Sequence, residues 1–403
     1  MIVGIVAFIV VLLASVMIHE AGHFATARAF GMNATEFFVG FGPTLWSRKR
    51  GETEYGVKAI PAGGFVKIVG MTDLEEIDPA DEPRAFYHQP AWQRAIVLAA
   101  GSFMHFVIAF VLLVFVFAVL GTGTTTTTLA RVAPCIPSDA AATSCAADDP
   151  ESPARAAGLQ PGDTVISYDG EAIDDWDQLQ SAIRGSAGRE VQVVVDRGGD
   201  QETVTLTPVV TERDGEEIGL VGVSPQIAAQ RQGPLEALGN GVTEVGNLTV
   251  ATFKGLAAIP AAIPALLNST FGAEERSIDG LVGPVGIARI SGEVVEGESP
   301  LALRIGSFLA IMAGINVFVG IFNLLPLLMV VTMVAQQKMQ PEPADEQQRQ
   351  QMKIMQYMLV FMGVLFYHVP SGLVLYFLTS SLLGMGEQKY VNRRLEAQEA
   401  AKA

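Results

Sequence analysis

Basic charge is in short supply. The 403 residues carry 26 Lys and Arg against 42 Asp and Glu, a formal net charge of −16. A chain so acidic lacks the basic patch that a phosphate backbone requires, which excludes nucleic acid as a partner. Cysteine is nearly absent. Cys135 and Cys145 are the two in the chain, and both fall in an acidic stretch, where they could pair in an oxidising compartment or remain two thiols. Histidine is limited to five positions, His19, His23, His88, His105 and His368. The apolar run at the start lacks the basic leader and the small-residue cleavage site of a secretory signal, and it is expected to be retained.

Apolar residues make up 50% of the chain and come in blocks. The blocks are Ile2–Ile18, Ala95–Leu120, Leu301–Val334 and the pair Ile354–Phe366 and Leu373–Leu383. The first three approach or exceed the roughly 20 residues that cross a bilayer. A multi-span α-helical membrane protein is therefore expected. Arg28, Arg48, Lys49, Arg50, Lys58, Lys67, Arg84 and Arg94 all lie between the first and second blocks, so that segment is expected to face the cytoplasm, together with the His19 end of the first helix. Gly121 to Pro300 supplies most of the net charge and reads as extracytoplasmic.

After the first block, "GFGPTLWSRKRGETEYGVKAIPAGGFVKIVG" is rich in glycine and aromatics, and its alternating pieces "TEYGVKAI" and "GFVKIVG" read as strands of a small membrane-associated sheet. Met71 to Gln89 reads as an acidic loop. Thr124–Thr128 reads as a linker. The stretch from "SPARAAGLQPGD" to "VTLTPV" has a small-residue turn, a short strand, a helix from Asp175 to Arg184 and two alternating strands, which fits a small α+β module. Gly233–Asn268 reads as broken or interfacial helix, and Arg276–Glu298 as a polar connection.

Chemistry concentrates in "HEAGH". On a helix, His19 and His23 project from one face, and both imidazoles can reach one zinc while Glu20 stands close enough to serve as base toward a water that the zinc acidifies. The alternative is a structural polar patch. Three ionisable residues in one turn of a membrane helix are costly and functional by default, which favours the metal. His105, within "GSFMHFVIAF", and His368, beside Pro370, read as hydrogen-bonded core or turn histidines. His105 lies mid-span and is not expected to reach His19, and Asp279 lies on the outward side. His88 reads as loop surface, and Asp163 and Asp169 as turn residues.

With "HEAGH" at the end of the first span, the glycine-rich segment after it and the α+β module beyond the second span, the chain resembles the site-2 protease family of intramembrane zinc metalloproteases, in particular the actinobacterial kind with one extracytoplasmic PDZ domain. The resemblance covers about residues 1–328. It implies zinc as cofactor, His19 and His23 as ligands, Glu20 as catalytic base, and Gly63, Gly64, Phe65 and Val66 as the strand that holds the unwound substrate. It also implies a single-pass membrane substrate already trimmed outside the membrane, such as an anti-sigma factor, a peptide ligand for the PDZ-like module, and residence in a bacterial plasma membrane. The family's third zinc ligand is an aspartate in a word of the form Asn-x-x-Pro-x-x-Pro-Leu-Asp-Gly-Gly. Here the word opens with Asn323 and Pro326 in "NLLPLL" and continues "MVVTMVAQQKMQP", with Val331 in the aspartate's place. No Asp or Glu occurs between Pro300 and Glu342.

From about Leu325 to Val391, "QQKMQP", "QQMKIMQYM" and "PSGLVLYFLTSSLL" resemble the C-terminal end of the YidC family of membrane-protein insertases, and imply a hybrid chain. The organisation expected is a protease core at 1–121, a linker and PDZ-like module at 122–220, a helical connection at 221–300, a third span at 301–328 and an insertase-like tail at 329–403. An intramembrane protease is the leading function. The alternatives are a catalytically silent membrane protein that binds peptides through its module, and an insertion role for the tail.

Overall fold

The computed structural model describes residues 2–71, 77–137, 145–146, 149–213, 216–271, 284–297 and 299–338, with residues 380, 381, 385 and 389. Contacts divide the chain into two units, one of Met1–Phe115, Leu235–Glu296 and Ser307–Ala403, the other of Val116–Pro234 and Gly297–Gly306. The insertase-like tail falls almost entirely outside the described residues, as do His368 and Asp279.

In the first unit, α1 (Ile2–Ala29) is followed by a long hairpin, β1 (Ala34–Arg50) and β2 (Thr53–Ile68), and then by α2 (Ala91–Phe115), which continues as one π-helical turn over Val116–Leu120. Later come α5 (Pro234–Phe271), a single helix through Pro260 and Pro264, α6 (Pro284–Glu296) and α7 (Leu301–Lys338). The polar connection expected over Arg276–Glu298 thus contains a helix. Among the described residues, three helical stretches, Ile2–Ala29, Ala91–Leu120 and Leu301–Pro326, are long and apolar enough to cross a membrane. Phe8 of α1 packs with Phe308 and Met312 of α7 in one buried cluster, and Ala27, Met32, Ala34, Ile68 and Val97 form another at the base of the hairpin.

The hairpin folds back on itself. Phe37 pairs with both Tyr55 and Val66, and Phe38 with both Gly56 and Phe65, while Arg48 pairs with Tyr55. The two strands therefore make four short rungs, in the spatial order 44–50, 53–58, 34–39 and 64–68. The last rung is an edge, bonded to β1 on one side only. An edge strand carries a row of outward N–H and C=O groups that must find other partners.

The second unit is built on a sheet of β10 (Val223–Gln230), β3 (Thr122–Val132), β4 (Thr164–Tyr168), β6 (Val191–Arg197) and β7 (Asp200–Leu206), in that order, with β5 (Glu171–Ala172) paired to β4. A separate hairpin joins β8 (Val209–Arg213) and β9 (Glu216–Leu220). Among its described residues the unit also has two short helices, α3 (Pro153–Ala156) and α4 (Trp176–Arg184), the latter capped by the Asp175 carboxylate on the Gln178 N–H. The threonine run expected as a linker is part of β3. β-branched side chains favour extended backbone, and here the Thr126 hydroxyl donates to the Gln226 carbonyl at 3.0 Å. β10 extends the sheet past residue 220, where a helical connection was expected, because Val223–Gln230 finds its partner in β3. The core follows the period of two along β6, whose Val191, Val193 and Val195 are buried against Leu179 and Ile183 of α4.

Candidate metal centre

His19 and His23 lie one turn apart on the buried face of α1, and their Nε2 atoms are 3.1 Å from each other. The Nδ1–H of His23 donates to the Val97 carbonyl at 2.7 Å. A carbonyl only accepts, so the proton of His23 sits on Nδ1 and its Nε2 presents a lone pair toward His19, the arrangement that orients a ligating histidine. Two nitrogens each 2.0–2.1 Å from a tetrahedral zinc stand about 3.3 Å apart. The observed pair matches that spacing. The Nδ1 of His19 is buried without a hydrogen-bond partner among the described residues.

α2 leaves room for the pair by having no side chain where it passes. A Cβ on Gly101 would fall on the His23 Nε2 and lie 2.7 Å from the His19 Nε2. Gly22 permits the same close approach from the α1 side, since a Cβ there would be 2.8 Å from the Ala100 carbonyl oxygen. Between the two glycines the helices meet tightly except at the imidazoles.

Glu20 turns toward the hairpin. Its Oε2 accepts the N–H of Val66 at 3.1 Å, on the outward side of the edge rung. Of the four residues expected to hold substrate, Val66 thus touches the centre directly. Gly64 lies against the Met17 sulfur and Gly63, with φ of 140°, against the Phe41 ring, while Phe65 stacks on Phe38 with ring centres 5.7 Å apart.

His105 departs from expectation. Its ring centre is 4.9 Å from that of His19, so a residue expected to be out of reach is beside the pair. Antiparallel crossing of α1 and α2 at the two glycines brings position 105, one turn beyond Gly101, to the level of His19. Its Nδ1 bonds the Asn316 Oδ1 at 2.8 Å, and the Asn316 amide donates in turn to the Met312 carbonyl at 2.8 Å. Asn316 is the functional candidate that sequence reasoning passed over. Its signal was an asparagine within an apolar span, a residue type that is costly there and marks a site.

Asn323 is exposed, Pro326 lies inside α7, and Val331 is 57% exposed. Among the described residues, no three His, Cys, Asp or Glu side chains meet around one point. Cys135 and Cys145 of the second unit are joined by a disulfide. Asp163 is buried beneath Arg197, whose Nη2 donates to its Oδ2 at 2.7 Å, while Asp169 takes a turn conformation with φ of 55° and pairs with Arg189. His88 is half exposed, 3.6 Å from Glu82.

The family model for peptidase family M50 matches residues 7–363. Zinc metalloprotease Rip1 of Mycobacterium tuberculosis is 36% identical over 346 residues, covering 81% of this chain and 82% of its own. Rip1 of Mycolicibacterium smegmatis is 36% identical over 348 residues with the same coverage, 81% and 82%. A putative zinc metalloprotease of Nostoc is 29% identical over 331 residues, covering 80% of this chain and 82% of its own. Among solved structures, the PDZ domain of an SdrC-like protein from Listeria monocytogenes is 17% identical and covers 25% of this chain and 90% of its own, at a TM-score of 0.18. A score that low carries no argument.

Proposed function

The chain belongs to peptidase family M50, and from that premise we propose that it is a membrane-integral zinc protease of the site-2 type, hydrolysing peptide bonds within the membrane-spanning helices of other proteins. The observation that carries the reading is the facing pair of imidazole nitrogens, 3.1 Å apart, with Glu20 between them in sequence and anchored to an edge strand. His19 and His23 would hold the zinc. Zinc bound there supplies Lewis acidity toward the scissile carbonyl and toward water. Glu20 takes the proton of the attacking water and returns it to the departing amine.

A membrane helix bonds its own amides, so it must unwind locally before a peptide bond becomes available. The freed amides then need partners. The outward edge of Gly64–Ile68 offers them by strand addition, and because Glu20 is bonded at Val66 on that same edge, an added strand lies beside the base. The many Lys and Arg between the first two spans support a cytoplasmic site. The acidic second unit, read as a PDZ-like module outside a bacterial plasma membrane, carries its disulfide in a compartment that suits one. There it would bind a peptide and restrict the site to single-pass substrates already trimmed, such as anti-sigma factors. The tail from about residue 325 is read as insertase-derived on the words quoted above; the family match runs past that point to residue 363.

Val331 favours a second reading, a catalytically silent protein that keeps the fold and binds peptides. Catalytic zinc takes three protein ligands, and α1 supplies two. Metal analysis of the purified full chain separates the two readings. One zinc per chain, with cleavage of a membrane substrate abolished by chelator and restored by zinc, supports the protease. A chain that takes up no zinc after reconstitution overturns it.

A further inference from the structure

A positive charge stands beside the edge rung of the hairpin without a counter-charge. Successive side chains of a strand take opposite faces. Gly64 lies against the Met17 sulfur and Tyr55 against the Phe24 ring, so these two face α1. Phe65 and Lys58, at odd offsets from them, share the far face. There Phe65 stacks with Phe38 and Phe41, ring centres 5.7 and 6.2 Å away. The Lys58 ammonium lies over Phe38 and Phe65, 4.8 and 4.9 Å from their ring centres. Among the described residues, no carboxylate pairs with it, and Glu36 is taken by Lys67.

Depth makes that charge costly. Thr53 accepts a hydrogen bond from Arg28 at 3.1 Å, whereas Phe65 lies between residues held at Met17 and Glu20. At 1.5 Å per residue, Glu20 is about 12 Å along α1 from Arg28, within a helix long and apolar enough to cross a membrane. An ionisable side chain at such a level is functional by default and calls for a partner. The two ring faces offset part of the cost and leave the charge in place. Resting on the strand-addition step of the protease reading, we infer that Lys58 selects an Asp or Glu side chain of the membrane substrate, at the position that pairs with Phe65. Residues paired across two strands share a face, with Cβ atoms about 4.5–5.5 Å apart. That carboxylate therefore lies beside the Phe65 ring and within reach of the ammonium. An apolar side chain there would stack on Phe65 and still leave the charge unpaired, which is the basis of the selection.

The experiment measures binding of fluorescent single-span peptides to the full chain in neutral detergent. Glu, or Gln in its place, is moved one residue at a time through the cytoplasmic half of a leucine–alanine helix. At one position Glu should bind the parent about 10-fold more tightly than Gln. Lys58→Met should abolish that preference, and Lys58→Glu should transfer it to a peptide carrying Lys. Absence of a Glu preference at every position, or its survival in a folded Lys58→Met, overturns the inference. Cleavage of the same peptides is scored separately. Cutting without regard to Glu overturns this inference alone, and Glu-selective binding without cutting supports it while counting against the protease reading.

Discussion

Gly101→Ala is the sharpest perturbation of the centre. The added methyl would fall on the His23 Nε2 and lie 2.7 Å from the His19 Nε2, close to the space a shared ion needs. An ordinary carbon contact needs about 3.5 Å, so α2 must retreat by roughly 1 Å or the imidazoles must turn away. Either response separates His23 from the Val97 carbonyl that orients it. Overpacking of this kind costs about 1–3 kcal/mol, which a folded domain can survive, whereas a misplaced ligand pair loses the metal. We expect Gly101→Ala to fold with a melting temperature lowered by several degrees, to retain under a tenth of the parent's zinc by mass spectrometry, and to cleave nothing. Stoichiometric zinc at parental affinity in Gly101→Ala would refute the placement of the ion between His19 and His23.

Three further outcomes follow from the second unit. The Arg197 hydrogen bond holds the Asp163 carboxyl below its usual range against the opposing effect of burial, with smaller help from the Gln160 N–H and then from the guanidinium charge. A depressed carboxylate contributes stability above its unfolded value near 4 and loses it as pH falls through the folded value, so thermal melts should show the unit weakening below about pH 4. Asp163→Asn should cost about 2 kcal/mol at neutral pH and flatten that acid limb; an unchanged limb would show that another group controls it. Reduction of the Cys135–Cys145 bond, which closes a loop of sequence separation 10, should destabilise the unit by about 2–3 kcal/mol, and identical melts with and without reductant would contradict this.

Legibility in the sequence tracked distance along the chain. His19, Glu20 and His23 were readable because one helical turn places them together whatever the fold. The helix ending at Arg184 and the alternation of β6 were readable for the same local reason. His105 and Asn316 are 211 residues apart, and no local period links them; only the crossing of α1 and α2 at Gly22 and Gly101 puts one imidazole beside another. Thr124–Thr128 misled because its composition suits a linker, while its side chains suit a strand once β10 lies alongside. The double pairing of β1 was equally hidden, since alternation reveals a strand but not how many partners it has.

The proposed protease uses Glu20 as base in a zinc-dependent cleavage. The most direct test is Glu20→Gln in the zinc-loaded full chain, reconstituted with a single-pass membrane substrate and followed by the appearance of the cut fragment. Zinc content should equal the parent's and the rate should fall at least about 100-fold, the loss expected on removing a general base. Cleavage by Glu20→Gln at the parental rate would contradict that role for Glu20.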